Sequence, residues 1–75
     1  KLINVNVTSK PDIKTVPQVM EAIDRIEKEL KEEGRVLVRY SGTQNMCRVM
    51  VEGPSAAVTE KYCREIADII KRVLG

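Results

Sequence analysis

Arg35-Val36-Leu37-Val38-Arg39-Tyr40-Ser41-Gly42-Thr43-Gln44-Asn45-Met46-Cys47-Arg48-Val49-Met50-Val51-Glu52 is the stretch that decides how this chain folds. Side chains alternate faces along a strand, so Val36 and Val38 share one face while Leu37 and Arg39 take the other. In the second half Cys47, Val49 and Val51 share a face, opposite Met46, Arg48, Met50 and Glu52. Between the halves lies Ser41–Asn45, a run of residues that favour turns because they hydrogen-bond their own backbone or tolerate unusual angles. The spacing predicts two antiparallel strands, residues 35–40 and 46–52, joined as a hairpin.

Upstream, residues 2–8 alternate as well. Ile3, Val5 and Val7 form one face and Asn4, Asn6 and Thr8 the other, a half-buried strand closed by Ser9-Lys10-Pro11-Asp12. A helix is then expected to about Glu33. Thr15 is read as its cap, with Gln18 completing a capping box and Pro17 in the first turn. Val16, Val19, Met20, Ile23, Ile26 and Leu30 follow the helical period, and Gly34 is read as the stop. The opposite face, including Glu27, Lys28, Glu29, Lys31, Glu32 and Glu33, reads as solvated surface.

Downstream, Gly53-Pro54 ends the hairpin and Ser55 caps a closing helix. Its apolar stripe is Thr59, Tyr62, Cys63, Ile66, Ile69, Ile70 and Val73, with Cys63 acting as a small core residue. The order β-α-β-β-α implies an α+β two-layer sandwich, with an antiparallel sheet and both helices on one face. The other face stays open.

Composition limits what such a domain does. With 75 residues the chain makes one domain, and chains of this size bury roughly 60% of their unfolded surface, so stability is modest. Charged residues at 32% and the lack of any apolar run near the ~20 residues of a bilayer span argue against a membrane protein. Lys1-Leu2-Ile3-Asn4 enters the first strand directly without a signal-peptide pattern, and the missing initiator methionine suits a fragment of a longer chain. A net charge of +2, interleaved with acids, and two aromatics, Tyr40 and Tyr62, give little for nucleic acid to bind.

Cys47 and Cys63 are isolated and the chain has no histidine, which disfavours a zinc site and leaves neither thiol an imidazole base. Two thiols outside a dense framework suit the cytoplasm. Ser41 has no Ser-His-Asp partners, and the carboxylates lie mainly on helix surfaces. No catalytic set and no metal site is expected. The expected work is binding.

Arg39 and Arg48 bracket a turn carrying Ser41, Gly42 and Thr43. A guanidinium is a planar fork matching two phosphate oxygens, hydroxyls add short donors, and glycine lets backbone N–H groups approach an anion. The same residues also suit an ordinary hairpin with exposed arginines. The spacing alone serves both readings equally, and no Walker-type loop or dinucleotide fingerprint adds to it.

The stretch Gly34-Arg35-Val36-Leu37-Val38-Arg39-Tyr40-Ser41-Gly42-Thr43, followed by Arg48-Val49-Met50-Val51-Glu52-Gly53, resembles the C-terminal domain of the α-D-phosphohexomutases. It is most similar to their phosphoglucosamine mutase branch, whose members typically read Gly-Arg-x-Leu-x-Arg-x-Ser-Gly-Thr-Glu-Pro and then Arg-Val-Met-Val-Glu. Lys10-Pro11-Asp12, Ala22 and Glu29-Leu30 add to the likeness, which spans nearly the whole chain. The resemblance implies the last of four domains, with a fold similar to half of the TATA-box-binding protein. Such a domain closes over the active site and grips the phosphate of a phosphosugar. By motif, Arg39, Ser41, Gly42 and Thr43 would form the phosphate loop, and Arg48 would stand at the family's second arginine.

The same resemblance places the phosphoserine, the Mg²⁺ loop and the sugar-orienting loop in the other three domains, so this domain alone would bind and not catalyse. Its implied partners are a phosphosugar and those domains, with no nucleic acid and no membrane. Gln44-Asn45 stands where the family usually has Glu-Pro. This removes a fixed φ angle and a negative charge, and it leaves Gln44 and Asn45 as loop or sugar contacts whose effect on sugar choice is open. Phosphomannomutase or phosphoglucomutase membership, a free-standing ligand- or RNA-binding module, and a purely structural domain are the alternatives.

Overall fold

In the computed structural model, which describes residues 1–75, the alternating segments form β1 (Leu2–Asn6), β2 (Arg35–Tyr40) and β3 (Met46–Glu52). The segments of helical period form α1 (Pro17–Leu30) and α2 (Ala56–Leu74). The hairpin strands begin and end where alternation and turn chemistry placed them. The strands form one antiparallel sheet in the order β1-β3-β2, with β3 central. The result is the expected α+β two-layer sandwich.

Strand parity explains the core. Cys47, Val49 and Val51 are fully buried, and they meet Ile3 and Val5 from β1 and Val36, Val38 and Tyr40 from β2 by register. Onto this face α1 brings Val19, Ala22, Ile26 and Leu30, and α2 brings Thr59, Cys63, Ile66, Ala67, Ile70 and Leu74. α2 lies over β3 and β1 while α1 packs on β2 and α2. Burying an isoleucine of the kind found at 26, 66 and 70 stabilises by about 1.5–3 kcal/mol relative to leaving it exposed. Ala22, Ala67 and Leu74 belong to the buried stripes although the periodic reading left them out. Met20, Ile23, Tyr62, Ile69 and Val73 sit half-buried at the margins.

Three local readings are corrected. Thr15 does not cap α1. Asp12 caps an earlier 3₁₀ turn, Ile13–Thr15, accepting from Lys14 N–H at 3.1 Å, and Thr15 Oγ1 donates back to the Asp12 carbonyl at 2.6 Å. Pro17 then disfavours helical angles at the residue before it, so extended Val16 becomes the N-cap with no side-chain bond and the capping box with Gln18 does not form. At the other end α1 stops at Leu30, Lys31 takes a positive φ of 54°, and Lys31–Glu33 form a 3₁₀ turn. Gly34 is extended and does not terminate the helix. A Cβ there would lie 2.1 Å from the Glu52 carbonyl oxygen, so close approach to β3 is what excludes a side chain. Third, β1 ends at Asn6 and not at residue 8: Val7 N–H still bonds the Asn45 carbonyl (2.9 Å) in line with the register, and Thr8 N–H turns away to the Leu74 carbonyl (2.8 Å). These two bonds tie the exit of β1 to the hairpin loop and to the end of α2.

Ser55 caps α2 as read, its Oγ accepting from Val58 N–H at 3.2 Å. Neither helix is long and apolar enough to cross a membrane. The uncovered sheet face carries Asn4, Asn6, Arg35, Leu37, Arg39, Met46, Arg48, Met50 and Glu52.

Candidate functional site

At one end of the open face, Arg39 and Arg48 are direct cross-strand partners. Four residues along the same strand pair, and on the same face, Arg35 stands opposite Glu52, and there the guanidinium meets the carboxylate at 3.3 Å. Opposite charges in such a pair contribute roughly 0.2–1 kcal/mol, whereas like charges directly opposite are destabilising. Both Arg39 and Arg48 are exposed, and neither makes an ion pair or hydrogen bond. The fold therefore holds two unneutralised guanidiniums side by side without internal compensation. An anion would supply it.

The loop beside them is closed by Ser41 N–H donating to the Met46 carbonyl at 2.8 Å. Ser41 Oγ accepts from the N–H groups of Thr43 and Gln44, both at 3.3 Å, so the serine shapes the turn and retains its own O–H to donate. Gly42 has no positive φ, and a Cβ built on it would meet nothing within 4 Å. No feature inside the chain demands glycine at this position, and the space it leaves open belongs to whatever approaches the loop. Arg39, Tyr40, Ser41, Gly42, Thr43 and Arg48 together line a concavity of ≈ 360 Å³. All five residues singled out as a phosphate cradle converge on it. Gln44 and Asn45 are exposed outside it, and their backbone groups serve the turn and the bond to Val7.

Two contributors escaped the sequence reading. Tyr40 lines the concavity, and its hydroxyl donates to the Pro11 carbonyl. Its hydroxyl pKa is raised, first by burial and then by the nearby Cys47 and Asp12, so Tyr40 stays neutral. Lys10 Nζ donates to the Ser41 carbonyl at 3.0 Å, from the segment that leaves β1. The adjacent Lys10-Pro11-Asp12 motif was a visible signal, but the contact spans a sequence separation that local reading does not reach.

Cys47 and Cys63 are fully buried, and burial raises both thiols above their usual range, leaving them protonated at neutral pH. Cys63 Sγ points its hydrogen at the Val49 carbonyl, 3.3 Å away. No group of three or more histidine, cysteine, aspartate or glutamate side chains is placed to hold a metal ion. The two arginines at the concavity repel cations, so the donor set suits an anion and does not fit Mg²⁺.

Residues 2–69 match the family described as phosphoglucomutase/phosphomannomutase, C-terminal domain. Over 75 residues, the whole chain, it is 65% identical to a phosphoglucosamine mutase from Syntrophobacter fumaroxidans, of which it spans 17%. A phosphoglucosamine mutase from Syntrophus aciditrophicus is 60% identical over 99% of the chain, which spans 16% of that protein. The chain thus corresponds to about a sixth of the length of these relatives. Among solved structures, Aspergillus fumigatus N-acetylphosphoglucosamine mutase in complex with GlcNAc-6P and magnesium superposes with a TM-score of 0.81 at 21% identity. That match covers all of this chain and 16% of the fungal one, and at this identity it is a likeness of fold.

Proposed function

Since the chain belongs to the C-terminal domain family of the phosphoglucomutases and phosphomannomutases, we propose that it is the phosphate-gripping domain of a phosphoglucosamine mutase. The observation that carries this reading is the unneutralised Arg39–Arg48 pair at a concavity completed by Ser41, Gly42 and Thr43. Each guanidinium offers two parallel donors to a phosphate, and charge-assisted bonds of this kind contribute about 1.5–3 kcal/mol. Ser41 and Thr43 hydroxyls and the Gly42 backbone fill the remaining acceptor positions.

The parent reaction is the interconversion of glucosamine 6-phosphate and glucosamine 1-phosphate through a bisphosphorylated sugar. That intermediate must turn round between the two half-reactions, so a site that reads phosphate instead of the sugar accepts either end. Closure of the domain over the bound sugar excludes water from the phosphoryl group. The transferring serine and Mg²⁺ are assigned to the rest of the parent chain, Mg²⁺ because the cationic donor set here does not fit it. The relatives, about six times longer, leave room for them. The free, buried thiols suit a reducing cytoplasm.

The test is Arg39→Ala in the full-length parent. It is expected to raise KM for the phosphosugar by roughly 10- to 100-fold, the loss of one charge-assisted pair, while the serine can still be phosphorylated. Unchanged kinetics would remove Arg39 from the clamp.

A further inference from the structure

The cation of Lys10 is spent on a backbone carbonyl. Its Nζ lies 3.0 Å from Ser41 O and within ion-pair distance of no carboxylate, although Asp12 is two residues away. The segment that carries it is itself anchored, since the next residue, Pro11, accepts the Tyr40 hydroxyl. Lys10 does not line the concavity. It reaches the loop from outside the lining.

Ser41 O is the carbonyl half of the Ser41–Gly42 peptide. That unit is trans and planar, so its N–H points opposite to its C=O. Of the N–H groups in the loop, those of Thr43 and Gln44 are taken by Ser41 Oγ and that of Ser41 by the Met46 carbonyl. The Gly42 and Asn45 N–H groups have no partner within the chain, and of these two residues Gly42 is the one that lines the concavity. Glycine also reaches positive φ at no steric cost, so this peptide can flip, unlike its neighbours. A flipped plane would withdraw the free N–H and turn a carbonyl oxygen to the anion. Lys10 bonds the carbonyl in one of the two orientations only.

We propose that Lys10 is a positioning residue of the anion site: it locks the Ser41–Gly42 peptide so that the Gly42 N–H is held ready for a phosphate oxygen. The assignment rests on the phosphate-clamp reading above. It makes the loop preorganised and places the control of that order in a residue remote in sequence.

The experiment is a titration of the nitrogen-15-labelled chain with sodium phosphate at constant ionic strength, following backbone amides. Wild type, Lys10→Met, Lys10→Arg and Arg39→Gln are compared. The Gly42 amide of wild type is expected to shift strongly with phosphate. Lys10→Met should move that amide already without ligand, leave amides of the core unmoved, and weaken phosphate binding roughly two- to fivefold, the scale of an exposed charge contact. Lys10→Arg should restore most of the affinity. Lys10→Met binding phosphate like wild type, or losing affinity while the ligand-free Gly42 amide stays put, would overturn the positioning role. If Arg39→Gln abolishes binding in the same series, the clamp stands without Lys10. A wild type in which residues 39–48 ignore phosphate overturns both.

Discussion

Replacing Arg39 by glutamine should leave the ligand-free chain as stable as before or slightly more so, and should abolish its response to phosphate. The expectation follows from register. Arg39 and Arg48 are directly opposed across an antiparallel pair, which places Cβ atoms roughly 4.5–5.5 Å apart. With the guanidiniums splayed to about 7 Å, Coulomb repulsion in water is about 0.6 kcal/mol, and a Debye length of about 8 Å at physiological ionic strength reduces it by about half. Glutamine keeps much of the stem, and Arg39 has no ion pair to lose. The melting temperature in chloride should therefore rise by about 1–2 °C, given about 4–8 °C per kcal/mol for a domain of this size.

Phosphate reverses the order. At a concentration on the order of ten times its dissociation constant, a bound anion stabilises wild type by about 1.4 kcal/mol through mass action. Wild type should gain roughly 6–11 °C on that scale and the variant almost nothing. The assay is a pair of thermal melts, in chloride and in phosphate at matched ionic strength, read by circular dichroism. Arg35→Gln is the control. It breaks the pairing with Glu52, so it should lose a little stability in chloride and keep the full phosphate response. If Arg39→Gln melts well below wild type in chloride, or gains as much from phosphate, Arg39 is structural and the reasoning fails.

The glycines give a paired prediction. Gly42→Ala should leave stability within about 0.5 kcal/mol, because its Cβ meets nothing, yet weaken phosphate binding. Gly34→Ala should cost roughly 1–3 kcal/mol in urea unfolding, because its Cβ would fall on the Glu52 carbonyl. Alkali should destabilise the fold. Burial keeps Cys47 and Cys63 protonated, and an exposed thiol ionises near 9.0. Folded pKa values above unfolded ones give stability that is complete below about pH 9 and lost as pH rises past it. The raised Tyr40 adds a second fall beyond its usual 10.0. Urea midpoints across that range should show the decline, and a Cys47→Ala, Cys63→Ala variant, less stable at neutral pH, should show a flatter onset.

The parts of the fold carried by alternation were legible. Both strands of the hairpin kept their expected bounds, because period-two patterning and a five-residue turn left one register that buries Cys47, Val49 and Val51 together. What failed was punctuation. Thr15 and Gln18 match a capping box, but Asp12 and Pro17 compete for the same backbone and win locally. Gly34 looks like a helix stop, and its reason to be glycine is the close approach of the Glu52 carbonyl at the end of β3. In the site, strand parity put Arg39 and Arg48 on one face. That they stand opposite each other is a matter of register, and the Lys10 contact depends on the path of the chain after β1. Long-range placement leaves no local pattern.

β2 is hydrogen-bonded on one side only, with β3 as its neighbour, and its unpaired edge runs along Val36-Leu37-Val38. Such an edge invites another chain to add a strand, and charges flanking the apolar run discourage it. Arg35 and Arg39 stand at its two ends, and Leu37 between them is 47% exposed. The arginine proposed to hold phosphate thus also stands where a charge disfavours edge-to-edge pairing. Substitutions that neutralise it trade ligand recognition and colloidal stability together, so Arg39 variants should be handled dilute and checked for soluble aggregates before any loss of binding is interpreted.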